Sequence, residues 1–191
     1  ISKQNYDAVI VVHAGYGAES SGAKGDLWSQ FTTFSTTVNG FGEGLIIPAR
    51  ETNESNGTPK KPFGVFCHEF GHLLGLPDLY STLPGTGYPI AVGDWDIMDY
   101  GAWLGAIPGD GPSGFSVWNK QALKWAAPEV VQEARTLTLN LAENPSSGFF
   151  RLNVPGSDLE YFLLEYRDKT GYDANLPGGG ASLRGGRGEE S

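Results

Sequence analysis

The sequence predicts a mixed α/β fold, α+β in layout, with a small antiparallel β part toward its C-terminal end. Three observations carry that prediction. Asp7 to His13 (DAVIVVH) is a short apolar run that opens into Ala14-Gly15-Tyr16-Gly17, as a buried strand running into a turn does. Phe63 to Leu74 carries helical spacing and is marked at both ends, by Pro62 before it and by Gly75 and Pro77 after it. Beyond Pro128 the pattern turns to alternation, which belongs to strands.

The elements follow in order. Ser20 to Lys24 is polar and loop-like, and Asp26 to Phe34 mixes aromatics with threonines. Glu43 to Arg50 (EGLIIPAR) reads as a strand that Pro48 confines to a sheet edge. Thr52 to Lys61 (TNESNGTPKK) has the composition of an exposed loop. The helix from Phe63 places Val65, Phe66, Phe70, Leu73 and Leu74 as its apolar positions. Asp78 to Gly114 is long, irregular and rich in Gly, Pro, Trp and Tyr, a pattern that compact domains reserve for function. Phe115, Trp118, Ala122 and Trp125 are spaced by three and four, so Ser113 to Trp125 reads as an amphipathic helix capped by Ser113. Thr136 to Leu141 (TLTLNL), Phe149 to Val154 and Leu159 to Tyr166 read as strands, joined by turns at Asn144 to Gly148 and Pro155 to Asp158.

Composition narrows the function. The chain has 191 residues, 39% hydrophobic and 18% charged, which suits a folded domain with its own core. Thirteen Lys and Arg against 22 Asp and Glu leave a net charge of −9, so a nucleic-acid partner is not expected. No apolar run is long enough to span a bilayer. The single cysteine leaves no intrachain disulfide to read.

The chemistry concentrates in His68-Glu69-Phe70-Gly71-His72-Leu73-Leu74-Gly75-Leu76-Pro77-Asp78. Two histidines four apart on a helix leave from nearly the same face and can share one metal. Glu69, beside the first, can reach a water on that metal without binding it. Gly75 ends the helix, so the chain reverses and Asp78 swings back as a third ligand. Two imidazoles and a carboxylate with an open position make a catalytic zinc set. Met98, the only methionine, lies in Gly93 to Gly101 (GDWDIMDYG), with Tyr100 two residues on. Metzincin peptidases place such a Met turn beneath the zinc, and Tyr100 would then offer its hydroxyl to an oxyanion.

These segments, HEFGHLLGLPDLY and WDIMDYGAW, together with WNKQALKW and LEYRDKTGYDANLPGGG, resemble the immune inhibitor A family of secreted bacterial metallopeptidases from about Asp7 to Gly180. The resemblance implies a metzincin-like catalytic domain, one zinc, endopeptidase activity and an extracellular location, with calcium as a structural ion. Members continue past LPGGG into an apolar strand with a Trp-His pair. Ala181 to Ser191 instead reads ASLRGGRGEES, polar, glycine-rich and unlike a strand. A C-terminal end that is cut short or altered is the expectation.

Other residues receive plainer readings. His13 ends a strand and is expected to be structural, and Cys67 a small buried residue. Asp94, Asp96 and Asp99 offer the oxygens calcium prefers but lack EF-hand spacing, so turn and capping roles compete. The resulting expectation is a catalytic domain over 1–130, a β-rich part of the same domain over 131–180 and an atypical tail over 181–191. His68, His72 and Asp78 would hold zinc, and Glu69 would act as general base on a protein or peptide substrate. Leu45 to Ile47 would offer an edge for that substrate, and a monomer is expected. The competing readings are a zinc hydrolase of non-peptide amide bonds and an inactive surface binding or adhesion domain.

Overall fold

The computed structural model describes residues 3–53, 58–60, 62–83, 91–142, 148–157, 159–178 and 180–187. It is mixed α/β and separates into two compact units, Ile1–Ser113 and Gly114–Ser191.

In the first unit the elements are β1 (Ile10–Tyr16), α1 (Ala18–Ser21), β2 (Gln30–Val38), β3 (Phe41–Asn53), β4 (Thr58–Lys60) and α2 (Pro62–Leu73). The sheet order is β1-β3-β2, with β1 parallel and β2 antiparallel to β3, and β4 pairs with the end of β3. The expected edge strand at Glu43 to Arg50 is therefore the central one. Pro48 is accommodated because the ladder with β2 reaches only Ile46, and the ladder with β1 slips just after its His13–Pro48 pair. Leu45 and Ile46 are paired with β1 on one side and β2 on the other and so are not an edge on which a peptide can add, while Ile47 pairs with Val12 of β1. β1 departs from its expected burial: it pairs through its backbone with β3, while Ile10, Val11 and Val12 stay exposed. The expected loop at Thr52 to Lys61 is partly strand, at the end of β3 and in β4; residues 54–57 and 61 lie outside the described set.

α2 packs on β3 and β2 and on the short 3₁₀ turn Tyr100–Trp103. Its buried residues are Gly64, Val65, His68, Glu69 and Gly71, one stripe at helical spacing. Phe63 and Phe70, two of its largest apolar side chains, face outward instead. Phe41, Leu45, Ile47, Val65, Leu76, Ile97, Met98 and Ala102 supply the apolar core. Gly64 donates its N–H to Gly109 (2.9 Å), and a Cβ there would overlap the Ala102 carbonyl.

In the second unit, α3 (Val117–Ala122), β5 (Glu129–Val130), β6 (Phe150–Asn153), β7 (Glu160–Arg167) and β8 (Gly180–Arg187) follow. The strands order as β5-β6-β7-β8, with β6, β7 and β8 antiparallel and β5 parallel to β6. The helix begins later than expected, after Ser116 and not Ser113. Among the described residues Thr136 to Leu141 forms no ladder despite its alternation, and its pairing is an isolated bridge from Leu141 to Tyr166. The expected irregular tail is strand over Gly180–Arg187, because β7 offers an open row of backbone groups that any extended segment can pair with. Val117, Ala142, Phe149, Tyr161 and Leu163 form the apolar cluster. Arg167, fully buried, donates from Nε to Asp173 (2.7 Å) and from its guanidinium to the Gly114 carbonyl (3.1 Å).

The contact at Gly64 makes a testable point. Gly64→Ala is expected to push α2 away from Ala102 and cost about 1–3 kcal/mol, read as a lower midpoint in urea unfolding with the slope unchanged.

Candidate metal centre

The site begins with how α2 stops. Gly75 adopts φ +96°, a conformation that suits glycine. Its N–H bonds to His72 O (2.9 Å), and the Leu76 N–H to Gly71 O (3.0 Å), the paired bonds of a Schellman ending. Leu76 is buried and seals the turn. The chain then doubles back along the helix, as expected, and the Leu79 N–H is caught by Met98 O (2.8 Å).

That reversal brings one ligand atom each from His68, His72 and Asp78 within 4.8 Å of one another. Nε2 of His68 lies 3.1 Å and Nε2 of His72 3.2 Å from the same Asp78 oxygen, Oδ1. The two rings stand edge to face, with centroids 4.8 Å apart. Each imidazole is oriented from behind. His68 Nδ1 donates to Ile97 O (2.8 Å) and His72 Nδ1 to Leu76 O (2.8 Å). A carbonyl accepts only, so both neutral rings keep their proton on Nδ1 and aim a bare Nε2 lone pair at Asp78. Three electron-rich atoms thus converge with no proton between them, and among the described residues Asp78 Oδ1 is a buried acceptor without a hydrogen bond. A cation among them satisfies all three at once, so the donor set fits a metal ion.

The metal-free protein answers the same crowding with protons. Burial disfavours the His72 cation, yet the Asp78 carboxylate and the Leu76 carbonyl raise its pKa above the usual value. Burial likewise opposes ionisation of Asp78, but the adjoining His68 and His72 rings hold it well below the ordinary carboxylate range.

Glu69, 7% exposed, lies on the same stripe of α2. Its Oε2 accepts the Phe31 N–H of β2 at 2.7 Å. Burial raises its pKa, and the His68 charge and the Phe31 amide only partly offset this. Met98 is fully buried, and its carbonyl accepts the Leu79 N–H. Tyr100 is 42% exposed at the start of its 3₁₀ turn, and among the described residues its hydroxyl has no hydrogen-bond partner. Tyr80, unremarked in the sequence, stacks on His68 with centroids 6.2 Å apart.

The calcium expectation is not supported. Asp99 spends both carboxylate oxygens on backbone N–H groups, and Asp96 Oδ1 accepts the Met98 N–H (2.8 Å). His13 has its Nδ1 3.0 Å from the neighbouring Ala14 carbonyl and is not part of the ligand group, and Cys67 is a free thiol. A cavity of about 440 Å³ lined by Ile47, Pro48, Pro62, Phe63, Phe66 and Asp110 contains none of the convergent residues.

Residues 4–127 match the model of the immune inhibitor A peptidase M6 catalytic domain. Immune inhibitor A of Bacillus thuringiensis subsp. alesti is 32% identical over 182 residues, covering 81% of this chain and 26% of the relative. The pre-pro-metalloprotease PrtV of Vibrio cholerae serotype O1 (strain M66-2) is 52% identical over 62 residues, 32% of this chain and 6% of the relative. The chain therefore spans a minor part of the length of either relative.

Glu69 gives a pH test. Its folded pKa lies above the ordinary 4.5, so the protonated form contributes stability that is full below that value and lost as pH rises through the folded one. Metal-free Glu69→Gln is therefore expected to melt higher than the metal-free wild type at pH 7, by about 2–4 °C for each kcal/mol recovered. The gap should close below pH 4.5; equal melting temperatures at pH 7 would refute the account.

Proposed function

Because the chain belongs to the immune inhibitor A peptidase family, we propose that it is a zinc-dependent endopeptidase of the metzincin type that acts outside the cell on protein substrates. The observation that carries the proposal is the convergence of His68, His72 and Asp78 on one point with Glu69 beside it on the same helix. The metzincin assignment is supported by the buried Met98, whose turn supplies the carbonyls that hold His68 and the Asp78 loop.

His68 and His72 through Nε2, and Asp78 through Oδ1, would hold the zinc. When bound, zinc supplies Lewis acidity and lowers the pKa of a coordinated water from about 15.7 to about 7. Glu69 takes the proton as water attacks the scissile carbonyl and returns it to the departing amine. Its burial among a helix and a strand amide keeps the carboxylate poorly hydrated and so a stronger base. Tyr100 stands exposed beside the turn, where its hydroxyl is free to meet a developing oxyanion.

Chelator treatment is expected to abolish casein cleavage, with one equivalent of zinc restoring it and mass spectrometry finding one zinc per chain. Glu69→Gln should retain that zinc and lose at least about 100-fold in kcat. Cleavage that survives chelation, or a panel in which only non-peptide amides react, would refute the assignment. Tyr100→Phe tests the oxyanion role separately: kcat should fall by about 10² with KM little changed, whereas an unaltered kcat removes Tyr100 from the mechanism.

A further inference from the structure

We propose that Asp99 is the positioning residue of the metal centre, a role that rests on the metal-centre reading above. Asp99 is 3% exposed and is not one of the three convergent side chains, yet its carboxylate accepts four backbone hydrogen bonds. Oδ2 accepts the backbone N–H groups of Ala91 (3.2 Å), Val92 (2.9 Å) and Gly93 (2.7 Å). Oδ1 accepts the Tyr100 N–H (2.8 Å). Four amide dipoles with their positive ends turned inward make this pocket hostile to a cation, so Asp99 is not itself a ligand.

What the carboxylate holds is a closed knot. Within it the Asp96 carbonyl accepts the N–H groups of Asp99 and Gly101 (3.1 Å each), and Asp96 Oδ1 accepts that of Met98. Two carbonyls leave the knot for the site. Ile97 O takes the Nδ1 proton of His68, and Met98 O takes the N–H of Leu79, the residue after Asp78. One turn of chain thus sets the tautomer and azimuth of one ligand and the approach of another. Asp99 binds that turn to the backbone at 91–93. Without it, the turn loses three bonds to that stretch and keeps the longer Asp96 N–H to Gly93 O bond (3.5 Å), so the Ile97 and Met98 carbonyls lose their fixed positions.

The position demands a side chain with two acceptor oxygens. Four donors meet it, and only a group that accepts on both oxygens satisfies them all. An asparagine there must turn its NH₂ either toward Tyr100 N–H or toward the three amides of 91–93, setting donor against donor. Asp99→Asn is therefore a near-isosteric probe of the bonds alone.

The experiment measures cobalt(II) binding to metal-free protein by chelator competition and by its visible d–d absorption, with Asp94→Asn as the control acid from the same segment. Asp99→Asn is expected to bind cobalt about 10–100-fold more weakly, with altered d–d bands, at a temperature where its near-UV circular dichroism is native. The control should match the wild type. A lowered melting temperature with cobalt affinity and bands unchanged would reduce Asp99 to a purely structural role and overturn the proposal. A measurement on the wild type needs no variant: by reciprocity, metal binding should slow hydrogen exchange at the amides of Val92, Gly93 and Tyr100. Unchanged exchange there would also overturn it. Wild-type protein that takes up no cobalt, or takes up as much after His72→Ala, overturns the metal-centre reading and this one with it.

Discussion

The site is organised by a repulsion. Two imidazole lone pairs and a carboxylate oxygen meet at Asp78 Oδ1 with separations of 3.1 and 3.2 Å. Such a cluster of acceptors persists only if something positive lies among them, a metal ion or protons on the rings. The shifts of His72 and Asp78, one upward and one downward, express the same requirement in the metal-free protein. Much of the first unit serves to keep these atoms converged.

The means are almost all backbone. The carbonyl of Leu76 fixes one ring from within the helix ending, and the carbonyl of Ile97 fixes the other from the turn that precedes Met98. The amide of Phe31 holds Glu69, and the carbonyl of Met98 holds the loop past Asp78. Backbone groups are set by the fold and have no rotamers to lose, so they orient these side chains at little entropic cost. The arrangement also explains the inverted polarity of α2. Its buried stripe carries His68 and Glu69, and Phe63 and Phe70 are displaced to the outer side. Apolar burial that would have stabilised the helix has yielded to chemistry, with Gly64 admitting the close contact with Ala102 that keeps it seated.

The second unit is built on different terms. Its core is a small apolar cluster, and its buried ion pair of Arg167 and Asp173 clamps the Gly114 carbonyl while Asp173 accepts the Gly114 N–H (3.1 Å). β8 shows how little sequence a strand needs when its partner is strong. Its glycines and polar residues carry no strand pattern, and β7 supplies the row of groups that extends them.

The local sequence by itself determined the helix of the site, its glycine ending and the return of Asp78. Those features depend on contacts within about a dozen residues, where spacing and turn chemistry decide. The proximity of His68, His72 and the neighbouring Glu69 was legible for the same reason. Only the tertiary structure decided what stands behind them. Ile97 lies 29 residues from His68 and Phe31 lies 38 from Glu69, and a backbone carbonyl or amide leaves no mark in the side-chain sequence. It also decided the sheet order, making the proline-bearing β3 central and leaving β1 exposed, because strand order is set by long-range pairing that periodicity does not encode. The alternation of Thr136 to Leu141 failed to become a ladder on the same ground: among the described residues it found a single bridge, to Tyr166, and a strand is defined by its partner.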